Sequence, residues 1–137
     1  MNSLSQTPDA IQTEGAKLSD LVNPNMREIL GDQNGELLPD MADAFVNMDY
    51  GQLYGRTGPD IKNRYIATNS ARSAFGGQTA PQSKIAIQAS HKSGLNDIEI
   101  AESIWQMVLS GGLSAAINGQ NTLLEVLEQN KEPQGAP

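Results

Sequence analysis

The chain has no cysteine among its 137 residues. Disulfides, thiolate metal sites and every thiol-based redox cycle are therefore excluded. Aromatic residues are also scarce, with one Trp, three Tyr and two Phe. The core must therefore consist of Ala, Ile, Leu, Val and Met, a composition typical of closely packed helices. A metal site is not expected, because a single histidine with scattered carboxylates lacks the ligand spacing that transition metals use.

Basic residues are few as well. Nine Lys and Arg stand against sixteen Asp and Glu, which gives a formal charge of −7. Nucleic acid is not an expected partner, because phosphate binding needs a concentrated basic surface. No segment approaches the roughly 20 apolar residues of a membrane helix, and the first residues lack the pattern of a secretory signal. We expect a cytoplasmic protein with no membrane partner.

Apolar residues recur at helical spacing through most of the chain, and no β-alternation of useful length occurs. This pattern predicts an all-α protein with one domain over residues 9–130, flanked by flexible ends at 1–8 and 131–137. Proline and glycine mark the helix ends. Helices are predicted over residues 9–22, 25–30, 39–54, 61–75, 80–93, 97–109 and 113–129, with the second helix stopping at Gly31. The last helix is amphipathic, and its apolar face is predicted to consist of Leu113, Ala116, Ile117, Leu124 and Leu127.

The helix that follows Asn96 has the strongest signal in the chain. Glu99 lies three residues after Asn96, which is the spacing of a capping box. Apolar residues from Ile98 to Leu109 leave this helix almost no polar side. A helix that is apolar most of the way round is buried on several faces. In a domain this small, we expect part of that burial to be against a second subunit.

Five stretches of the chain form an ordered set, namely DIKNR (60–64), QTAPQSK (78–84), GLNDIEIAE (94–102), QMV (106–108) and residues 112–118. Their order and spacing resemble the carboxymuconolactone decarboxylase family, which shares its fold with the alkylhydroperoxidase D thiol peroxidases. The resemblance is clearest over residues 76–127 and extends to roughly residues 28–127. The resemblance implies an alkylhydroperoxidase D-like helical fold in a homo-oligomer, a trimer or a hexamer. It also implies cofactor-free chemistry on a small organic acid or lactone.

The chain departs from the family pattern at the positions that carry chemistry. Tyr65 stands where the family has glutamate, Ala86 where it has histidine, and Ser110 where a tyrosine is common. His91 lies five residues after Ala86, about 140° around a helix, and so points to a different face. The missing cysteines argue against thiol peroxidase activity.

Three residues are the candidates for catalysis. Glu102 would be a general acid or base if it were buried beside Tyr65, and Ser110 would lie near the mouth of the pocket. The structural alternative for Glu102 is a solvated carboxylate or a salt bridge to an arginine.

Three further residues are candidates for binding the substrate. Arg64 would bind a carboxylate through two hydrogen bonds, and Lys84 is another anion ligand. His91 is the third, although a histidine in the last turn of a helix is also a favourable charge there. Arg64 has the alternative of an internal ion pair, and Lys84 that of a surface charge.

Two functions remain open at this point. The first is a cofactor-free lyase, decarboxylase or isomerase that acts on a small organic acid or lactone. The second is a catalytically degenerate, oligomeric binding or scaffold protein of the same fold. The joint loss of the family's Glu, His and Tyr favours the second. The retention of Arg64, Glu99 and Glu102 favours the first.

Overall fold

A computed structural model describes residues 7–131 of the chain. No strand occurs in this range, which confirms the all-α class. The helices are α1 Pro8–Val22, α2 Met26–Asn34, α3 Met41–Val46, a π-helix Asn47–Tyr54, α4 Ile61–Ala74, a 3-10 turn Gly77–Thr79, α5 Ala80–Lys92, α6 Asp97–Trp105, α7 Val108–Gly111 and α8 Leu113–Lys131. The flexible ends predicted at 1–8 and 131–137 lie mostly outside the described residues; α1 begins at Pro8 and α8 ends at Lys131.

Three helices differ from their predicted form. The second helix does not stop at Gly31 but continues to Asn34, because one glycine in a helix costs only about 1 kcal/mol. The helix predicted over residues 97–109 ends at Trp105 and is followed by the separate α7. Residues 47–54 form a π-helix, for which the sequence has no signature.

The chain divides into two compact units, Met1–Ile61 and Lys62–Pro137. In the first unit, α1 packs against the π-helix where two glycines meet. A Cβ atom on Gly15 would lie 2.7 Å from both the Cα and the backbone nitrogen of Gly51, and one on Gly51 would lie 2.8 Å from the carbonyl oxygen of Ile11. The two backbones can approach this closely only because neither residue has a side chain.

Tyr50 completes the interior of the first unit. Its ring is 2% exposed, stacks on Tyr54 at 5.7 Å and meets Phe45 edge-on at 6.3 Å. The Asn23 side-chain amide donates a hydrogen bond to its hydroxyl. Because Asn23 directly follows α1, this bond fixes the end of α1 against the π-helix.

The second unit is organised around α8, which packs against α5, α6 and α7. The buried face of α8 is made of small and medium residues, namely Ala116, Gly119, Thr122, Leu123 and Val126. A Cβ atom on Gly119 would lie 2.7 Å from both Ile104 Cγ2 and Ser73 Oγ, so the absence of a side chain allows α6 and α4 to come close. The helix predicted over residues 113–129 is confirmed, and it continues to Lys131.

The buried face of α8 is not the one that the spacing of large residues predicts. Of the five residues that the sequence pattern placed on one apolar face, Ala116 is buried and Leu127 is partly buried, but Leu113, Ile117 and Leu124 are 54%, 46% and 58% exposed. The prediction was wrong for these three because hydrophobic periodicity follows large side chains, whereas this interface is formed largely by small ones.

Buried polar contacts tie α4 to its neighbours. Asn69 Nδ2 donates to Ser90 Oγ of α5 at 2.8 Å, and Ser90 donates in turn to the carbonyl oxygen of Ala86 at 2.6 Å. Ser70 Oγ donates to the carbonyl oxygen of Ser103 in α6 at 2.8 Å. These bonds satisfy groups that would otherwise be costly to bury, so they fix the position of α4 in the unit.

The approach of Gly15 to Gly51 leads to a stability prediction. We expect Gly15→Ala to lower the free energy of unfolding by about 1–3 kcal/mol, because the added methyl group meets backbone atoms that cannot rotate away. Urea unfolding followed by circular dichroism measures this change.

Gly31→Ala is the matched control in the same unit. No heavy atom lies within 4 Å of the position of its Cβ, so this substitution should stabilise the protein by about 0.4–1 kcal/mol through the unfolded state. Equal effects of the two substitutions would contradict the close approach of the helices.

Candidate functional site

All six residues that the sequence nominates lie on the second unit. Tyr65 on α4 is only 2% exposed, whereas Glu102 on α6 and Ser110 on α7 are exposed to solvent. The hypothesis of a general acid or base requires Glu102 to be buried beside Tyr65. Because Glu102 lies on an exposed face, the structure does not meet this requirement.

Lys84 of α5 is engaged in an ion pair. Its Nζ lies 2.7 Å from Oε2 of Glu125 on α8, and the two side chains are 36% and 58% exposed. An exposed pair of this kind stabilises a protein by at most about 1 kcal/mol. An anionic ligand at Lys84 would nevertheless have to compete with the carboxylate of Glu125.

His91 is engaged in a similar way. Its Nε2 lies 2.7 Å from Oδ1 of Asp97, a distance at which the ring N–H donates to the carboxylate. His91 lies in the last turn of α5 and Asp97 in the first turn of α6. The carboxylate of Asp97 suits the N-terminal turn of α6, and the hydrogen bond links the end of α5 to the start of α6.

An open groove of about 480 Å³ passes the His91–Asp97 pair. Its other walls come from the C-terminal part of α8, with Leu127, Asn130 and Lys131. The groove places an apolar side chain, an amide and an ammonium group next to the imidazole. None of the other five nominated residues lines it.

The capping box at the start of α6 is confirmed. Glu99 N donates to Asn96 Oδ1 at 2.8 Å, and Asn96 N donates to Glu99 Oε2 at 2.9 Å. These two bonds satisfy backbone donors that have no partner within the helix. The carboxylate of Glu99 therefore has a structural task.

Arg64 and the remaining acidic residues do not define a metal centre. Arg64 is partly buried on α4, one residue before Tyr65. Within residues 7–131, no three His, Asp or Glu side chains lie close enough together to hold a metal ion.

In this same part of the chain, no helix has the length and apolar character needed to cross a membrane.

Several large apolar side chains of the second unit are exposed to solvent, and reasoning from polar residues did not predict this. Ile98 and Trp105 of α6 are 73% and 50% exposed, and they add to the three exposed residues of α8, Leu113, Ile117 and Leu124. The sequence did contain a signal for this surface, since α6 is apolar on nearly all sides. The pattern could not show which residues of α6 would remain exposed to solvent.

Comparison with known proteins adds little about activity. No family model matches the chain. A similar protein is the "uncharacterized 15.0 kDa protein in nqo9-nqo10 intergenic region" of Paracoccus denitrificans, which is 29% identical over 101 residues. The match covers 74% of this chain and 75% of that protein. Membership of the carboxymuconolactone decarboxylase family therefore stays a prediction.

The contributions of Asn96 and Glu99 to the capping of α6 can be tested separately. We expect Asn96→Ala to lower the free energy of unfolding by about 1 kcal/mol, because it removes the oxygen that caps α6. Glu99→Gln should change it by less than about 0.5 kcal/mol, because glutamine serves at the same position of a capping box. Urea unfolding of both variants measures the difference, and a larger loss in Glu99→Gln would contradict the structural assignment.

Proposed function

We propose that the protein is a non-catalytic, homo-oligomeric binding or scaffold protein of the cytoplasm, built on a carboxymuconolactone decarboxylase-like helical fold. One observation carries the proposal. On the second unit, charged candidates are engaged in structural contacts, while large apolar side chains face the solvent. When exposed apolar side chains of this size form a contiguous patch, the patch is typical of a site that binds another molecule.

The exposure of two of the three catalytic candidates supports this choice over an enzyme. Decarboxylation or lactone opening requires donors that are already oriented towards a developing negative charge, in a place from which water is excluded. Glu102 and Ser110 lie on exposed surface. Water weakens electrostatic interactions there by a large factor relative to a buried site. These two residues are therefore poorly placed to stabilise an enolate-like transition state.

A second candidate function is a cofactor-free lyase, decarboxylase or isomerase that acts on a small organic acid or lactone. The observation that favours it is the burial of Tyr65, which is 2% exposed and follows the partly buried Arg64 in α4. A buried phenol can donate a proton, and an arginine can bind a carboxylate through two hydrogen bonds. This alternative depends on α4 and no longer on Glu102.

Activity assays separate the two functions. We expect the wild-type protein to release no carbon dioxide from a panel of small organic acids and to open no lactone in a matched panel. Native mass spectrometry should show an oligomer without a retained organic acid. Measurable turnover that is lost in Tyr65→Phe or Arg64→Gln, with the fold intact by circular dichroism, would overturn the proposal.

Glu102→Gln completes this test. Because Glu102 is exposed, the substitution should change the free energy of unfolding by no more than about 0.5 kcal/mol. It should also leave the oligomer unchanged. Turnover that disappears in Glu102→Gln at unchanged stability would instead establish Glu102 as a catalytic residue.

A further inference from the structure

The formal charge of the chain is confined to its first unit. Ten of the sixteen Asp and Glu residues, but only three of the nine Lys and Arg residues, fall within Met1–Ile61. The first unit therefore carries the whole formal charge of −7, and the second unit, Lys62–Pro137, is neutral. Charge of one sign that is concentrated on one part of a chain attracts partners of the opposite sign.

Acidic residues are regularly spaced in and after α2. They recur every four positions, at Glu28, Asp32, Glu36 and Asp40. All four are exposed, and within residues 7–131 none of them forms an ion pair. Glu28 and Asp32 repel one another, because like charges four residues apart on a helix are destabilising. Positive charge from a partner would relieve this repulsion.

The helix α2 itself is weakly supported by the rest of the unit. It spans only nine residues, none of which is buried, and no side chain caps its start. Gly31 in its middle costs about 1 kcal/mol relative to alanine, and a helix this short is marginal in water without tertiary contacts. Although α2 lies against α3, most of its residues are exposed. A partner that packs on α2 would therefore supply contacts that the unit itself does not.

Large apolar side chains are exposed next to these carboxylates in the chain. Ile29 of α2 is 49% exposed, and Leu37 and Leu38, which follow α2, are 89% and 56% exposed. The backbone N–H groups of the two leucines donate to the carbonyl oxygen of Asn34 at 3.1 and 2.8 Å, so both residues are held at the end of α2. The α2 surface, as we call it, consists of Glu28, Ile29, Asp32, Glu36, Leu37 and Leu38.

The charge of the first unit favours one kind of occupant for the α2 surface. A second copy would bring another charge of −7, and nucleic acids and anionic membranes have the same sign. Within residues 7–131, no three His, Asp or Glu side chains lie close enough together to hold a metal ion, so a metal does not account for these carboxylates. A protein segment with both basic and apolar side chains matches both components of the surface.

We propose that the α2 surface binds a basic amphipathic helix of another protein. The apolar residues of that helix would cover the exposed isoleucine and leucines, as an amphipathic helix does on an apolar surface. Its lysine and arginine side chains would pair with the carboxylates, and such pairs determine the choice of partner more than the affinity. The inference goes beyond the proposed function, because it rests on the first unit alone.

Fluorescence anisotropy of three labelled peptides with the full chain tests the proposal. Each peptide has about 18 residues, or five helical turns. The first has leucine at helical spacing and lysine elsewhere, the second has glutamate in place of lysine, and the third has the composition of the first in scrambled order. We expect the first to bind with a dissociation constant below about 100 μM at low salt, and the other two at least about 10-fold more weakly. Added salt should weaken the binding of the first, since it screens the attraction between opposite charges.

Substitutions on the α2 surface locate the binding. Leu37→Ser should raise the dissociation constant of the basic amphipathic peptide about 10-fold or more, because it removes an apolar side chain that the peptide would cover. Glu28→Gln combined with Asp32→Asn should raise it about 3- to 10-fold, because two exposed ion pairs with the peptide are lost. Both variants should remain folded by circular dichroism, since all three side chains are exposed.

Leu109→Ser and Glu102→Gln are the matched controls on the second unit. Leu109 is 82% exposed, close to the value for Leu37, and Glu102 is an exposed carboxylate on a helix, like Glu28. Neither control should change the affinity for the basic amphipathic peptide. A loss of affinity in Leu109→Ser, with Leu37→Ser unchanged, would place the binding on the second unit and overturn the inference.

The peptides also separate docking from simple attraction. If the basic amphipathic peptide does not bind, or if the scrambled peptide binds equally well, the inference is overturned, because charge alone would then account for any attraction. Equal binding of the glutamate peptide overturns it too, because apolar contact alone would then suffice. Turnover that requires Tyr65 or Arg64 would overturn the proposed function and leave this inference standing.

Discussion

Close packing of helices at glycine residues is the constraint on which both units depend. In the first unit Gly15 and Gly51 leave no room for a Cβ atom between α1 and the π-helix. In the second, a Cβ atom on Gly119 of α8 would collide with the side chains of Ile104 and Ser73. A chain with six aromatic residues cannot fill wide gaps between helices. Small residues bring the helices together instead, so that medium aliphatic side chains suffice to pack the interior at normal density.

This manner of packing determines what each helix leaves outside. Because α8 turns Ala116, Gly119 and Thr122 inwards, its larger residues Ile117 and Leu124 remain at the surface. An inward face of small residues buries less apolar area than one of large residues, and therefore contributes less to stability. The exposed face of α8 therefore presents apolar area to the solvent. The scarcity of aromatic residues thus favours packing through small residues, and that packing leaves larger apolar residues exposed.

The sequence predicted features that depend on a few neighbouring residues. The all-α class and the capping box of Asn96 and Glu99 were correct, because helical periodicity and a three-residue spacing are local signals. The packed face of α8 was predicted only in part: Ala116 is buried as expected, but Ile117 and Leu124 are exposed, since burial there follows from the approach of Ser73 and Ile104, which are distant in sequence. The ion pairs of Lys84 with Glu125 and of His91 with Asp97 likewise join residues of different helices. No spacing rule could have found the first of these pairs.

The same distinction separates the requirements of a catalytic site from those of a binding surface. A catalytic site requires several groups to be held at defined distances in a place that excludes water, and Glu102 and Ser110 lie instead on exposed surface. A binding surface requires only that apolar side chains share one face of neighbouring helices, and a seven-residue spacing on both α6 and α8 satisfies this. The hydrogen bond from Gln120 to Ala101 joins the two helices. A surface for association therefore makes fewer geometric demands on the chain than a catalytic site does.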